Sequence, residues 1–165
     1  VIARLAADPR WTTTLAVAPD TAIRDRAWPR HVSRLAQGSG DLGRRMHRIA
    51  GKPSPGPVLI VGTDIPAIAP RHIWRAFRTL GSSDAVLAPA ADGGFWLVGF
   101  RRTPRLPAAF ENVRWSTAHT LADTVASLRP ATVAFADTLS DVDTAAEHSH
   151  CRAWSGRHVL PAVVR

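Results

Sequence analysis

The 165-residue sequence is poor in several residues that carry chemistry: one cysteine, one methionine, one lysine (Lys52) and no tyrosine. The lone Cys151 can neither close an internal disulfide nor build a cysteine zinc site, which sets redox chemistry aside. No apolar run approaches the ~20 residues needed to cross a bilayer, and no charged-then-apolar stretch opens the chain as a signal peptide would, so a cytoplasmic protein with no membrane partner is expected. A Gly-x-Ser-x-Gly elbow and a His-Glu-x-x-His helix are both absent, which removes the usual hydrolase triad and zinc peptidase. Nor is there a Walker loop: Lys52 follows Gly51, but Met46 stands where that motif requires its first glycine. His148 and His150 are spaced like metal ligands, yet with no carboxylate cluster beyond Glu147 they read as the surface of a helix.

What is present is ordinary globular material, 45% hydrophobic and 21% charged. The length suits a single domain, residues 1–165, able to bury about 70% of its unfolded surface. The net charge of +8 raises the question of a nucleic-acid partner. The basic residues are nearly all arginines spread along the chain, which argues for a solvated surface with affinity for small anions and against nucleic acid.

Apolar periodicity alternates between helix and strand, the pattern of an α/β layer fold. Residues 1–7 read as the end of a helix, 12–17 and 31–35 as strands. Asp41 caps a helix carrying Leu42, Met46 and Ile49 on one face. Val58–Val61 is apolar on both faces, as a strand in the middle of a parallel sheet would be. Pro70 opens a helix whose inner face is Ile73, Trp74, Phe77 and Leu80. Residues 85–87 and 95–100 read as strands, Ser116 as the cap of a helix with Leu121, Val125 and Leu128, and 132–135 as the last strand. The core is expected from about 9 to 144, with 145–165 a tail.

Four segments carry polar residues that this architecture does not need. Asp64, just past the carboxyl end of the strand at 58–61, either holds a divalent cation or caps the turn before Pro66. Gln37-Gly38-Ser39-Gly40 either lies against a nucleotide base, with Gln37 reading its edge, or is a plain turn before the helix. Asp92-Gly93-Gly94 is a hairpin signal, although Phe95 and Trp96 beyond it offer aromatic surfaces that would flank a sugar or base. Trp115-Ser116 opens a helix whose free amides would suit an anion, and Asp141 with Asp143 either adds a metal ligand or caps a final helix.

Read in order, Gln37-Gly-Ser-Gly-Asp-Leu-Gly43, Pro57-Val-Leu-Ile-Val-Gly-Thr-Asp-Ile-Pro66, Pro89-Ala-Ala-Asp-Gly-Gly-Phe-Trp-Leu-Val-Gly99, Trp115-Ser-Thr117 and Asp141-Val-Asp-Thr144 resemble the rSAM/selenodomain-associated transferase 1 family. That family is glycosyltransferase-like and is more distantly similar to guanylyltransferases of cofactor synthesis. The resemblance implies a Rossmann-like GT-A fold of the nucleotide-diphospho-sugar transferases, a three-layer sandwich around a mostly parallel sheet. It also implies Mg2+ or Mn2+ held by Asp64, with Asp141 the second ligand and Asp143 its runner-up. Gln37, Gly38 and Gly40 would lie against the nucleotide, and Asp92, Gly93, Gly94, Trp115 and Ser116 would border the sugar or a small-molecule acceptor. No residue pattern identifies a general base.

Members of that family open with a strand and a loop reading roughly Lys-x-Pro-x-x-Gly-x-x-Lys-Thr-Arg-Leu, and nothing in this sequence matches it. The resemblance therefore implies a fold missing its first strand, with an open lane between the strands at 12–17 and 58–61, and a Val1 that is not where the fold begins. Three functions stand: a glycosyltransferase using a nucleotide-sugar, a nucleotidyltransferase acting on a phosphorylated acceptor, or an inactive remnant or binding module.

Overall fold

A computed structural model describes residues 1–53, 55–103, 105–139 and 162–164. Asp141, Asp143, His148, His150 and Cys151 lie outside them. In chain order the elements are α1 (Ile2–Ala6), β1 (Thr13–Val17), a 3-10 turn (Asp20–Arg24), β2 (Ser33–Ala36), α2 (Leu42–Gly51), β3 (Val58–Val61), α3 (Pro70–Thr79), β4 (Ala85–Pro89), β5 (Phe95–Phe100), α4 (Thr120–Ser127), β6 (Val133–Phe135) and β7 (Ala162–Val164).

The strands form one sheet in the order β2-β1-β7-β3-β5-β4-β6. β1 with β2 and β4 with β6 are parallel, while β1–β7, β7–β3, β3–β5 and β5–β4 are antiparallel. The sheet is thus mixed, not mostly parallel. Val58–Val61 is central as its double-sided apolarity requires, yet both of its neighbours run against it. The reason on one side is the tight turn after β4, which returns β5 directly beside it. On the other side β7 fills the lane between β1 and β3, pairing Val163 with Thr14 and Ile60. The lane expected to stand open is closed by residues expected to be tail.

Alternation along β3 divides the core. Leu59 and Val61 face α1 and α3, packing with Leu5, Ile73, Ala76 and Leu80. Val58 and Ile60 face the opposite layer, with Met46 and Ile49 of α2, Phe110 and Leu128. Each such aliphatic side chain contributes about 1.5–3 kcal/mol on burial. Leu5 and Val163 belong to these clusters, so the core takes in residues on both sides of 9–144.

Two local differences from the sequence reading have clear causes. Trp74 is not on the buried face of α3 but 43% exposed. Its ring is covered by the Arg10 guanidinium, 5.1 Å from the ring centre and 4.9 Å from that of Trp11, a cation–π arrangement. The buried position is taken by His72, whose Nδ1 accepts the Ala69 N–H at 3.1 Å. Burial, aided by the Arg71 charge, lowers the His72 pKa, consistent with a neutral ring that accepts.

Candidate active site

Asp64 follows β3 and Gly62, whose N–H donates to Trp96 O at 2.8 Å and so extends the ladder by one bond past the strand. The carboxylate of Asp64 is carried out of the sheet to an exposed position on the wall of a cavity of about 670 Å3. The β4–β5 turn supplies Asp92 and Gly94 to the same cavity, β5 supplies Phe95 and Trp96, and the segment before α4 supplies Trp115, Ser116 and Thr117. Among the described residues, the Asp64 carboxylate has no hydrogen-bond or ion-pair partner, whereas Asp92 Oδ1 accepts the Gly94 N–H at 2.9 Å. No lysine, arginine or histidine lines this cavity among the described residues.

The turn at 90–94 is closed by the Gly93 N–H donating to Ala90 O at 3.3 Å and the Ala90 N–H donating to Gly94 O at 3.1 Å. Gly93 itself has φ +85°, and a Cβ there would lie 2.6 Å from the backbone of Ala118. Only glycine allows this approach, which lets Gly93 O accept the Leu121 N–H at 3.0 Å and fixes the turn against α4. Gly93 therefore shapes the wall from behind it.

The aromatic walls stand on opposite faces of β5. Phe95 meets Trp115 edge-on at 6.5 Å, and Trp115 leans on Phe110 at 5.9 Å. Trp96 packs on the other side, edge-on to His72 at 6.1 Å, its Nε1–H held by Asp137 O at 3.0 Å. Ser116 is not the cap of α4, which begins four residues later at Thr120; its φ is +58°. Threonine hydroxyls make the turn instead: Thr120 Oγ1 donates to Arg114 O at 2.8 Å and accepts the Thr117 N–H at 3.3 Å, and Thr117 Oγ1 accepts the His119 N–H at 3.2 Å. Of the amides expected to greet an anion, those of Thr117 and His119 are thus already occupied. Arg114 forks onto Asp123 through Nε at 2.8 Å and Nη2 at 2.9 Å, which holds that carboxyl down to about 2.

The Gln37–Gly40 segment does not line this cavity. Gln37 is fully buried. Its Nε2 donates to Ala16 O at 2.9 Å, and its Oε1 accepts from Arg45 at 3.2 Å, so its amide holds β1 and α2 together and not a nucleotide base. Asp20 accepts the Gly38 N–H at 3.0 Å, while Arg48 clasps the turn through Gln37 O at 2.7 Å and Ser39 O at 2.8 Å. A side chain at Gly38, where φ is +77°, would collide with that guanidinium. Gly40 remains exposed before the Asp41 cap, whose Oδ1 accepts the Arg44 N–H at 2.8 Å.

The structure thus brings together Asp64, Asp92, Gly94, Trp115 and Ser116, sets Gly93 behind them, and leaves Gln37, Gly38 and Gly40 apart. Leu42 and Met46 of α2 and Leu139 beside Ala90 also line the cavity. Helical spacing marks the first two as core residues and carries no sign of this second role.

Among the described residues no three His, Cys, Asp or Glu side chains gather to hold a metal ion. The donor set at the cavity is two carboxylates, one of them unengaged. That fits the way Mg2+ is bound by one or two carboxylates together with substrate phosphates, and does not fit an all-protein cage. No helix of the described residues is long and apolar enough to cross a membrane.

The profile of the bacterial family DUF2064, uncharacterized proteins conserved in bacteria, matches residues 1–117. No curated protein matches. A crystal structure from Desulfovibrio desulfuricans G20, described as a putative nucleotide-diphospho-sugar transferase, is 34% identical with a TM-score of 0.60. The match covers 70% of this chain and 52% of the other, so the chain spans about half the length of that protein.

Proposed function

The chain belongs to DUF2064, and we propose that it acts as a glycosyltransferase-like enzyme, taking a nucleotide-diphospho-sugar and passing the sugar to a small uncharged acceptor. Within that class, its five ordered motifs favour the rSAM/selenodomain-associated transferase 1 family. The observation that carries the reading is the lining of the cavity: carboxylates of Asp64 and Asp92, aromatic Phe95, Trp96 and Trp115, and no cationic side chain among the described residues. Aromatic faces suit the apolar faces of a sugar or base, and carboxylates accept from hydroxyls. A phosphorylated acceptor, as a nucleotidyltransferase would use, calls for arginine or lysine at the cavity instead. The similarity to a protein described as a nucleotide-diphospho-sugar transferase supports the same choice.

In this reading Phe95 and Trp115 form a water-excluding wall, and Asp92, with one oxygen fixed by the Gly94 N–H, orients a hydroxyl of the sugar or acceptor. Asp64 is the residue that would hold Mg2+ or Mn2+, with Asp141 and Asp143 the further candidates. The cation, when bound, supplies charge neutralisation to the diphosphate. Positioning of the two substrates is the larger task left to the protein. The Gly38–Gly40 turn remains the candidate contact for the nucleotide, with Gln37 as its buried anchor.

The test is calorimetric titration of nucleotide-sugars with Mn2+ into wild type and Asp64→Asn. Because Asp64 is exposed and has no partner among the described residues, the variant should fold normally and lose metal-dependent binding; unaltered binding would refute the site. Product analysis separates the chemistries. Release of nucleoside diphosphate from a nucleotide-sugar is expected, whereas pyrophosphate released from a nucleoside triphosphate would establish nucleotidyl transfer.

A further inference from the structure

A second hollow, of about 720 Å3, lies along the edge strand β2 and is lined by Arg24, Arg30, His31, Ser33 and Arg34, with Ile23 and Val32 as its apolar part. It shares no lining residue with the Asp64 cavity, and β1 and β7 lie between β2 and β3. Among the described residues no carboxylate lines it.

The hollow is built on a pinned frame. Trp28 is buried with Leu15, Val17 and Val32, and its Nε1–H donates to Ala22 O at 2.7 Å, which fixes the loop that carries Arg24 and Arg30. Arg34 is half-buried and reaches across to Ile23 O at 3.3 Å, so its guanidinium is directed along the hollow. Arg24, Arg30 and His31 are exposed beside it. Three arginines and a histidine on one open depression of the surface give it a positive potential that attracts anions. The forked donors of the arginines match planar or tetrahedral oxyanions and bind them through charge-assisted hydrogen bonds.

We infer that this hollow is a binding site for a small multivalent oxyanion, a ligand carrying two or more phosphate or carboxylate groups, held by Arg24, Arg30 and Arg34. The site is independent of the transfer chemistry proposed for the Asp64 cavity. A diphosphate and a polycarboxylate share the required chemistry, and pyrophosphate and citrate are the probes that separate them.

The experiment is titration of each probe at low ionic strength, without metal, into wild type, R24Q/R30Q and the control R78Q/R105Q. The control removes the same charge from two other exposed arginines. One site is expected in wild type, with affinity at least about tenfold weaker in R24Q/R30Q, the effect of losing two charge-assisted contacts, and within about twofold of wild type in the control. Backbone amide shifts of the wild-type protein should move at 23–34 and not at 62–64. Equal weakening of both variants, absence of binding, or shifts at 62–64 would each overturn the assignment. So would tighter binding of an oligonucleotide than of pyrophosphate at equal phosphate concentration.

Discussion

Replacing Gly93 by alanine should be among the most damaging single-methyl changes at the candidate site. Two costs add. At φ +85° an alanine is strained by about 1–2 kcal/mol, as L-residues are in left-handed backbone. Its Cβ would also lie 2.6 Å from both Cα and O of Ala118, backbone atoms that cannot rotate away, and overpacking of this kind costs about 1–3 kcal/mol. The sum is about 2–5 kcal/mol. For a domain of this size, at roughly 2–4 °C per kcal/mol, Tm should fall on the order of 10 °C. Two further variants separate the contributions. Gly56→Ala, at φ +125° with nothing within 4 Å of the new Cβ, isolates the backbone cost. Gly94→Ala meets only the Asp92 carboxylate, at 3.1 Å, and should cost less than about 1 kcal/mol. Calorimetric melting of the three proteins is the assay. If Gly93→Ala melts no lower than Gly56→Ala, the close approach to Ala118 does not exist and the cavity wall has been misread.

Two other outcomes are expected. Asp123, held at about 2 against an ordinary 3.8 chiefly by its hydrogen bonds from Arg114, should contribute stability that is complete above 3.8 and lost as pH falls from there toward 2. Arg114→Gln should flatten that part of a urea-stability profile, and an unchanged slope would count against the pair. Arg102 donates to Gly56 O at 2.6 Å, Ala50 O at 2.9 Å and Pro53 O at 3.1 Å, a fork that lysine cannot reproduce. Arg102→Lys should therefore cost about 1–3 kcal/mol in urea unfolding and speed protease cleavage between residues 51 and 57.

Local pattern made most elements legible. Val58–Val61 could be bounded to the residue because proline precedes it, glycine follows it, and four apolar residues in a row leave no solvent face. Asp41 was legible as a cap because its preference is set within one turn of chain. Sheet direction was not legible, because it depends on partners remote in sequence: β7 reaches β3 across about a hundred residues and carries no local mark of which way it runs. The site divided in the same way. Asp64 and Asp92 are placed by the strand ends beside them, so position along the chain located them. Gln37 looked like a ligand contact because it is polar and sits in a glycine turn. Its burial follows from an Ala16 carbonyl that needs a donor and an Arg45 that needs an acceptor, neither visible without the tertiary fold.

The tertiary fold also changes what the charge of +8 means. As a sum it suggests a diffuse basic surface. In the structure several of the arginines fall into distinct uses. Arg10, Arg44, Arg75, Arg101 and Arg114 pair with aspartates, cancelling their charge locally. Arg48 and Arg102 serve as clasps for backbone carbonyls, and Arg45 donates to Gln37, uses in which the planar fork matters more than the charge. Arg24, Arg30 and Arg34 line the β2 hollow, with no carboxylate on its wall among the described residues. Among the described residues, the β2 hollow is lined by cationic side chains and no carboxylate, and the Asp64 cavity by two carboxylates and no cationic side chain. A free anion therefore meets complementary charge at the β2 hollow and like charge on the wall of the Asp64 cavity, unless it brings its own cation. A phosphate ligand that carries a divalent cation would meet that condition, so under the proposed function the lining would favour metal-bound over bare phosphates at the Asp64 cavity.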